Sequence, residues 1–146
     1  MFRVAEEDFL RVLQLDLAGI WRCMRAEILH MRRQRCGAIV NTSSMLGAAA
    51  MADNGAYVTA KHGVHGLTRA AALELSGMGI RVNAVAPGVT RTGMTSAVSD
   101  ELLRAVPLGR TAEPEEIAAP VVWLCSPQAS YITGSVLVAD GGWLAG

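Results

Sequence analysis

The chain has 146 residues, 51% of them apolar, and its 13 Lys plus Arg balance its 13 Asp plus Glu. A zero net charge argues against nucleic acid or an anionic membrane as partner, and no apolar run reaches the ~20 residues of a membrane helix. Cys23, Cys36 and Cys125 are odd in number and lack CxxC spacing, and His30, His62 and His65 have no ligand partners at chelating spacing. Neither a disulfide frame nor a metal site is expected, and thiols of this kind suit a cytoplasmic protein. The N-terminus shows no signal-peptide pattern, and the length fits one domain, 1–146.

In chain order, Phe9, Leu13, Leu17, Ile20, Met24 and Ile28 recur at three- and four-residue steps and predict one long helix over 6–34. Its end is basic (Arg32, Arg33, Arg35), which suits a helix C-terminus. A first strand follows at 37–43 and runs into Ser44. A loop rich in Ala and Gly covers 45–55, and a second helix spans 55–77, with Gly77 and Gly79 near its end. The second strand covers 80–86 and ends in the turn Pro87-Gly88. Residues 87–112 read as irregular with one short helical piece at 100–106. Pro114 suits the first position of a third helix, and Pro120 inside that helix removes one backbone bond and is expected to kink it. The third strand is at 135–139. Apolar strands alternating with helices indicate an α/β protein with a parallel sheet buried on both faces. In such sheets ligands bind beyond the carboxyl ends of the strands, which is where Ser44 and the Pro87-Gly88 turn fall.

Tyr57 and Lys61 are four residues apart on the second helix and therefore share a face, with Cβ atoms about 5–6 Å apart. An ammonium there favours the phenolate and brings proton exchange with an alcohol or ketone toward neutral pH. The hydroxyl of Ser44, thirteen residues upstream of the tyrosine, could hydrogen-bond the same oxygen. Such a group suits carbonyl/alcohol interconversion, with the hydride carried by a separate cofactor.

The motifs then run in a recognisable series. Leu15-Asp16-Leu17-Ala18-Gly19 is followed by Ile39-Val40-Asn41-Thr42-Ser43-Ser44, the Tyr57 to Lys61 pair, Gly66-Leu67-Thr68-Arg69 and Gly79-Ile80-Arg81-Val82-Asn83. Pro87-Gly88-Val89-Thr90-Arg91-Thr92, Thr133-Gly134 and Asp140-Gly141-Gly142 complete it. In this series the chain resembles the catalytic half of the classical short-chain dehydrogenase/reductase family, over almost its whole length. The resemblance implies a partial Rossmann-like, doubly wound parallel sheet of three strands and three main helices. It implies Tyr57 as general acid/base, Lys61 as the group that favours the phenolate and holds the nicotinamide ribose, and Ser44 as the group that orients the substrate oxygen. Pro87, Gly88, Thr90 and Thr92 would lie by the nicotinamide of NAD or NADP. Where the family usually has a relay asparagine, this chain has Asp16, which could hold a relay water or be an ordinary polar helix residue. Ala60 replaces a serine common before the lysine.

The family's glycine-rich TGxxxGxG turn, its cofactor-selecting residue and its NAG segment have no counterpart in these 146 residues. A βαβαβ nucleotide-binding half of about 90–100 residues is therefore lacking. Two functions follow as expectations: an oxidoreductase acting on a small carbonyl or alcohol, or an inactive remnant serving as an oligomerisation module. The chain is expected to be a homo-oligomer, since a sheet of three strands leaves an edge open to pairing. Segment 93–110 corresponds to the family's substrate lid, where Met94, Val98, Leu102 and Leu103 serve either a partly apolar pocket or packing. The substrate and the choice between NAD and NADP are not readable from the sequence.

Overall fold

A computed structural model of the chain describes residues 4–95 and 100–146, without the side chains of residues 94, 100 and 101. Helix α1 (Glu6–Leu13) passes through a π-helical turn (Gln14–Ala18) into α2 (Gly19–Gln34). The predicted 6–34 helix is thus one continuous rod, but with a widened turn that hydrophobic periodicity does not reveal. Next come strand β1 (Gly37–Thr42), helix α3 (Gly55–Leu75), strand β2 (Ile80–Pro87) and a short helix α4 (Asp100–Arg104). Helix α5 (Pro114–Cys125) and strand β3 (Val136–Ala139) complete the order. Pro114 opens α5 as expected, and the helix continues past Pro120 to Cys125.

The sheet is parallel with order β1-β2-β3; Gly37 pairs with Ile80, and Ala84 with Val136. β2 is the middle strand, and residues 82–86 are all buried, as a strand covered on both faces requires. Its side chains alternate. Ile80 and Val82 join Met24, Ile39, Ala71, Ala72 and Leu75 in a core between the sheet and the α2–α3 pair. Arg81 and Asn83 point to the opposite face. There the Arg81 guanidinium donates to the carbonyls of Leu124 (2.7 Å) and Ser126 (3.1 Å), and the Asn83 amide donates to that of Ile132 (2.9 Å). These bonds tie α5 and the approach to β3 onto the sheet. A second cluster of Met45, Leu46, Val89 and Val106 closes the carboxyl end, with Leu102 packed against it. Leu102 is thus a packing residue, while Val98 and the side chain of Met94 lie outside the described residues.

Candidate active site

The carboxyl ends of β1 and β2 open into a cleft of about 620 Å³. Asp16, Ser44, Tyr57, Lys61, Pro87, Gly88, Thr90 and Thr92, which are all the residues singled out from the sequence, line it. α3 presents Tyr57 and Lys61 one turn apart, with the Lys61 Nζ 5.3 Å from the centroid of the phenol ring. Lys61 is buried, whereas Tyr57 is half-buried and reaches the cleft.

Two contacts fix the ammonium. It pairs with Asp16 Oδ1 at 3.3 Å and donates to the carbonyl of Thr42 at 3.4 Å, at the end of β1. An ammonium has three donors, and the third finds no partner among the described residues, so it is available to the cleft. Asp16 is brought to Lys61 by the π turn. Gly63 of α3 allows this close approach: a Cβ there would lie 2.8 Å from Leu17 Cδ2.

Ser44 is buried and caps the short 3₁₀ turn Met45–Gly47, its Oγ accepting from the Leu46 N–H at 3.1 Å. The hydroxyl keeps its own proton to donate into the cleft. The adjacent Ser43 donates to the carbonyl of Lys61 at 3.3 Å, tying the end of β1 to the turn of α3 that carries the lysine. On the far wall, Thr90 pairs with Ala112, and the hydroxyl of Thr95 donates to the Thr90 carbonyl while accepting from the Thr92 N–H at 2.9 Å. Thr95, Pro114 and Ile117 also line the cleft. Sequence reasoning did not single them out for the site, because nothing in their spacing marks them; they arrive through the pairing of segment 89–91 with residue 112.

His65, two turns beyond Tyr57 on α3, is buried, and its Nε2 has no hydrogen-bond partner among the described residues. Burial, then Arg69, then His62 push its proton affinity below the ordinary 6.5. The unfolded chain therefore protonates His65 before the folded one does. The contribution to stability is full above about 6.5 and is lost as pH falls below it. We expect the urea midpoint to drop between pH 7 and pH 5, and His65→Gln to flatten that drop. Equal slopes in parent and variant would disprove the assignment. This window lies above that of Glu116, which the Arg110 hydrogen bond holds down to about 2 and whose contribution fades only below about 4.5.

Comparison with known proteins identifies the family. A family model described as enoyl-(acyl carrier protein) reductase matches residues 1–144. The chain belongs to the short-chain dehydrogenase/reductase family. It is 43% identical over 139 residues to the cis-4-hydroxycyclohexanecarboxylate dehydrogenase of Sinomonas cyclohexanicum, covering 92% of this chain and 56% of that one. It is 42% identical over 146 residues to a 3-oxoacyl-[acyl-carrier-protein] reductase of Staphylococcus aureus, covering 97% of this chain and 59% of the relative. A crystal structure from Agrobacterium tumefaciens, assigned as a 2-deoxy-d-gluconate 3-dehydrogenase and holding NADP, superposes with a TM-score of 0.96 at 34% identity. That match covers 99% of this chain and 62% of the other. The chain thus spans little more than half the length of the short-chain dehydrogenases and reductases it matches. Among its described residues no helix is long and apolar enough to cross a membrane.

Proposed function

We propose that this chain carries the proton-transfer half of an oxidoreductase site that moves hydride between a nicotinamide cofactor and a small carbonyl or alcohol. One observation supports this most directly: Tyr57, Lys61 and Ser44 meet in a single cleft beyond the strand ends, each with a free donor or an exposed face toward it. Tyr57 would give its proton to the carbonyl oxygen, Ser44 would orient that oxygen, and Lys61 would favour the phenolate left behind. The donor set also fits a nicotinamide riboside. Lys61 offers an ammonium donor, and Thr90 and Thr92 offer hydroxyls beside the Pro87-Gly88 turn. That cofactor, NAD or NADP, would supply only the hydride.

The 146 residues hold no G-x-G-x-x-G turn leading into a helix, the usual cradle for a pyrophosphate. Calorimetric titration of the chain with NADH and NADPH is therefore expected to show affinity far weaker than micromolar; micromolar binding would overturn this expectation.

A second reading, assembly with another copy, draws on the free edge of β1. A groove of about 570 Å³ runs beside it, lined by Leu15, Ile20, Met24, Met31, Ile39 and Val40 among others. Leu15 is 74% exposed. Uncovered apolar surface beside an unpaired strand favours self-association, and a clean monomer in sedimentation velocity would remove this reading.

A further inference from the structure

The wall of the cleft that follows the Pro87-Gly88 turn carries three threonines, Thr90, Thr92 and Thr95. A hydroxyl has one proton and two lone pairs, whereas a carbonyl can only accept. Thr90 Oγ lies 3.2 Å from the Gly88 carbonyl oxygen, so its proton points there. Thr95 Oγ bonds to the Thr90 carbonyl and has the Thr92 carbonyl oxygen at 3.3 Å. Two oxygens in contact repel unless a proton lies between them, so the one proton of Thr95 is spent on a carbonyl.

Both lone pairs of Thr95 are then left for Thr92. The Thr92 N–H reaches Thr95 Oγ at 2.9 Å, and the two hydroxyl oxygens are 3.2 Å apart. Thr95 has no second proton, so Thr92 is the donor of the hydroxyl–hydroxyl bond. Neither Thr90 nor Thr92 keeps a hydroxyl proton for the cleft; each turns lone pairs toward it. Across the cleft the polarity is reversed. Ser44 accepts from the Leu46 N–H and keeps its proton, and Lys61 has an ammonium donor beyond its bonds to Asp16 and Thr42.

We propose that Thr95 is a positioning residue that makes the Thr92 hydroxyl an acceptor toward the cleft, so that this wall takes a primary carboxamide and turns away a carboxylate. This deepens the oxidoreductase reading and rests on it, the carboxamide being that of the nicotinamide ring. A primary carboxamide brings two N–H donors to oxygens that can only accept. A carboxylate of the same shape brings only acceptors and sets oxygen against oxygen. Thr95 touches no ligand in this scheme; it acts through Thr92. Without the Thr95 oxygen, the Thr92 hydroxyl is free to rotate and can donate to either group. One hydrogen bond made against one opposed is worth roughly tenfold in affinity.

The test needs no turnover. Nicotinamide mononucleotide and nicotinic acid mononucleotide, which lack the adenosine half of the cofactor, are titrated into the ¹⁵N-labelled full chain and followed by backbone N–H shifts, which read weak binding. The parent should favour the carboxamide compound. Thr95→Val keeps the side-chain shape without the hydroxyl and should shrink the carboxamide-to-acid affinity ratio roughly tenfold. Thr95→Ser should restore it. An unchanged ratio in Thr95→Val, or no carboxamide preference in the parent, overturns the proposal. Neutron diffraction from deuterium-exchanged crystals of the parent decides the proton arrangement without ligand or variant. The Thr92 deuteron should lie toward Thr95 Oγ, and one aimed into the cleft overturns the proposal. Failure of the oxidoreductase reading looks different: neither mononucleotide binds although the deuterons stand as stated, and the carboxamide seat then falls with that reading.

Discussion

Tyr57→Phe is expected to lower carbonyl reduction by ~10²–10⁴-fold, the usual worth of general acid catalysis, while leaving cofactor affinity nearly unchanged. The substitution removes one oxygen and its proton from a half-buried ring that otherwise packs with the Met45 and Leu46 cluster, so the fold should survive it. The measurement is steady-state turnover together with a binding titration. It is made on this chain or, if the chain alone binds cofactor too weakly, on a fusion behind a glycine-rich nucleotide-binding half. Lys61→Ala should behave differently and damage both quantities, because on the proposed roles the ammonium would serve the phenol and would offer a free donor to the cleft. It also strips the partner from Asp16, so some loss of stability is expected alongside. Ser44→Ala should lower turnover with little effect on cofactor, and it deletes the acceptor for the Leu46 N–H. A Tyr57→Phe protein that keeps near-full turnover would eliminate the proposed chemistry.

The architecture was legible because its signals are local. A buried parallel strand is a short apolar run, and β1 and β2 lie within a residue of where such runs place them. Pro114 marks its own position by lacking a backbone N–H, which the first turn of a helix can spare. The i,i+4 geometry of Tyr57 and Lys61 is likewise a property of one helix. What the sequence hid is tertiary or depends on backbone detail. The π turn at Gln14–Ala18 preserves the apolar pattern around it, so periodicity passes over it, yet it accompanies the placement of Asp16 against Lys61. The place of Thr95 in the cleft follows from side-chain bonds to Thr90 and Thr92 within an irregular segment. The buried state of His65 depends on Gly47, eighteen residues away, where a Cβ would come within 2.5 Å of the imidazole Nε2. None of these contacts has a compositional or periodic signature.

Gly88→Ala is expected to cost stability out of proportion to its size. Gly88 ends the Pro-Gly turn after β2, and its N–H donates to the Ala139 carbonyl at 2.9 Å, joining β2 to the end of β3. A Cβ at this position would lie 2.6 Å from the Cα, 2.9 Å from the Cβ and 3.0 Å from the carbonyl oxygen of Asp140. Most of what it meets is backbone, so no rotamer change can make room. Asp140 cannot retreat easily either, since its carboxylate accepts from the N–H groups of Gly142 (2.9 Å) and Leu144 (2.8 Å) and so holds the C-terminal turn. Overpacking of a close contact typically costs about 1–3 kcal/mol, and the upper end is expected here because two strand ends and a capped turn must separate together. Gly66→Ala provides the opposite case: Gly66 lies inside α3 with nothing within 4 Å of an added Cβ. Alanine there should stabilise by about 0.5–1 kcal/mol through helix propensity. Urea denaturation of the two variants and the parent should therefore give midpoints on either side of the parental one. A Gly88→Ala curve superimposable on the parent's would mean that the β2–β3 junction yields without cost, and the tight approach at the rim of the cleft would then not be a constraint on the fold.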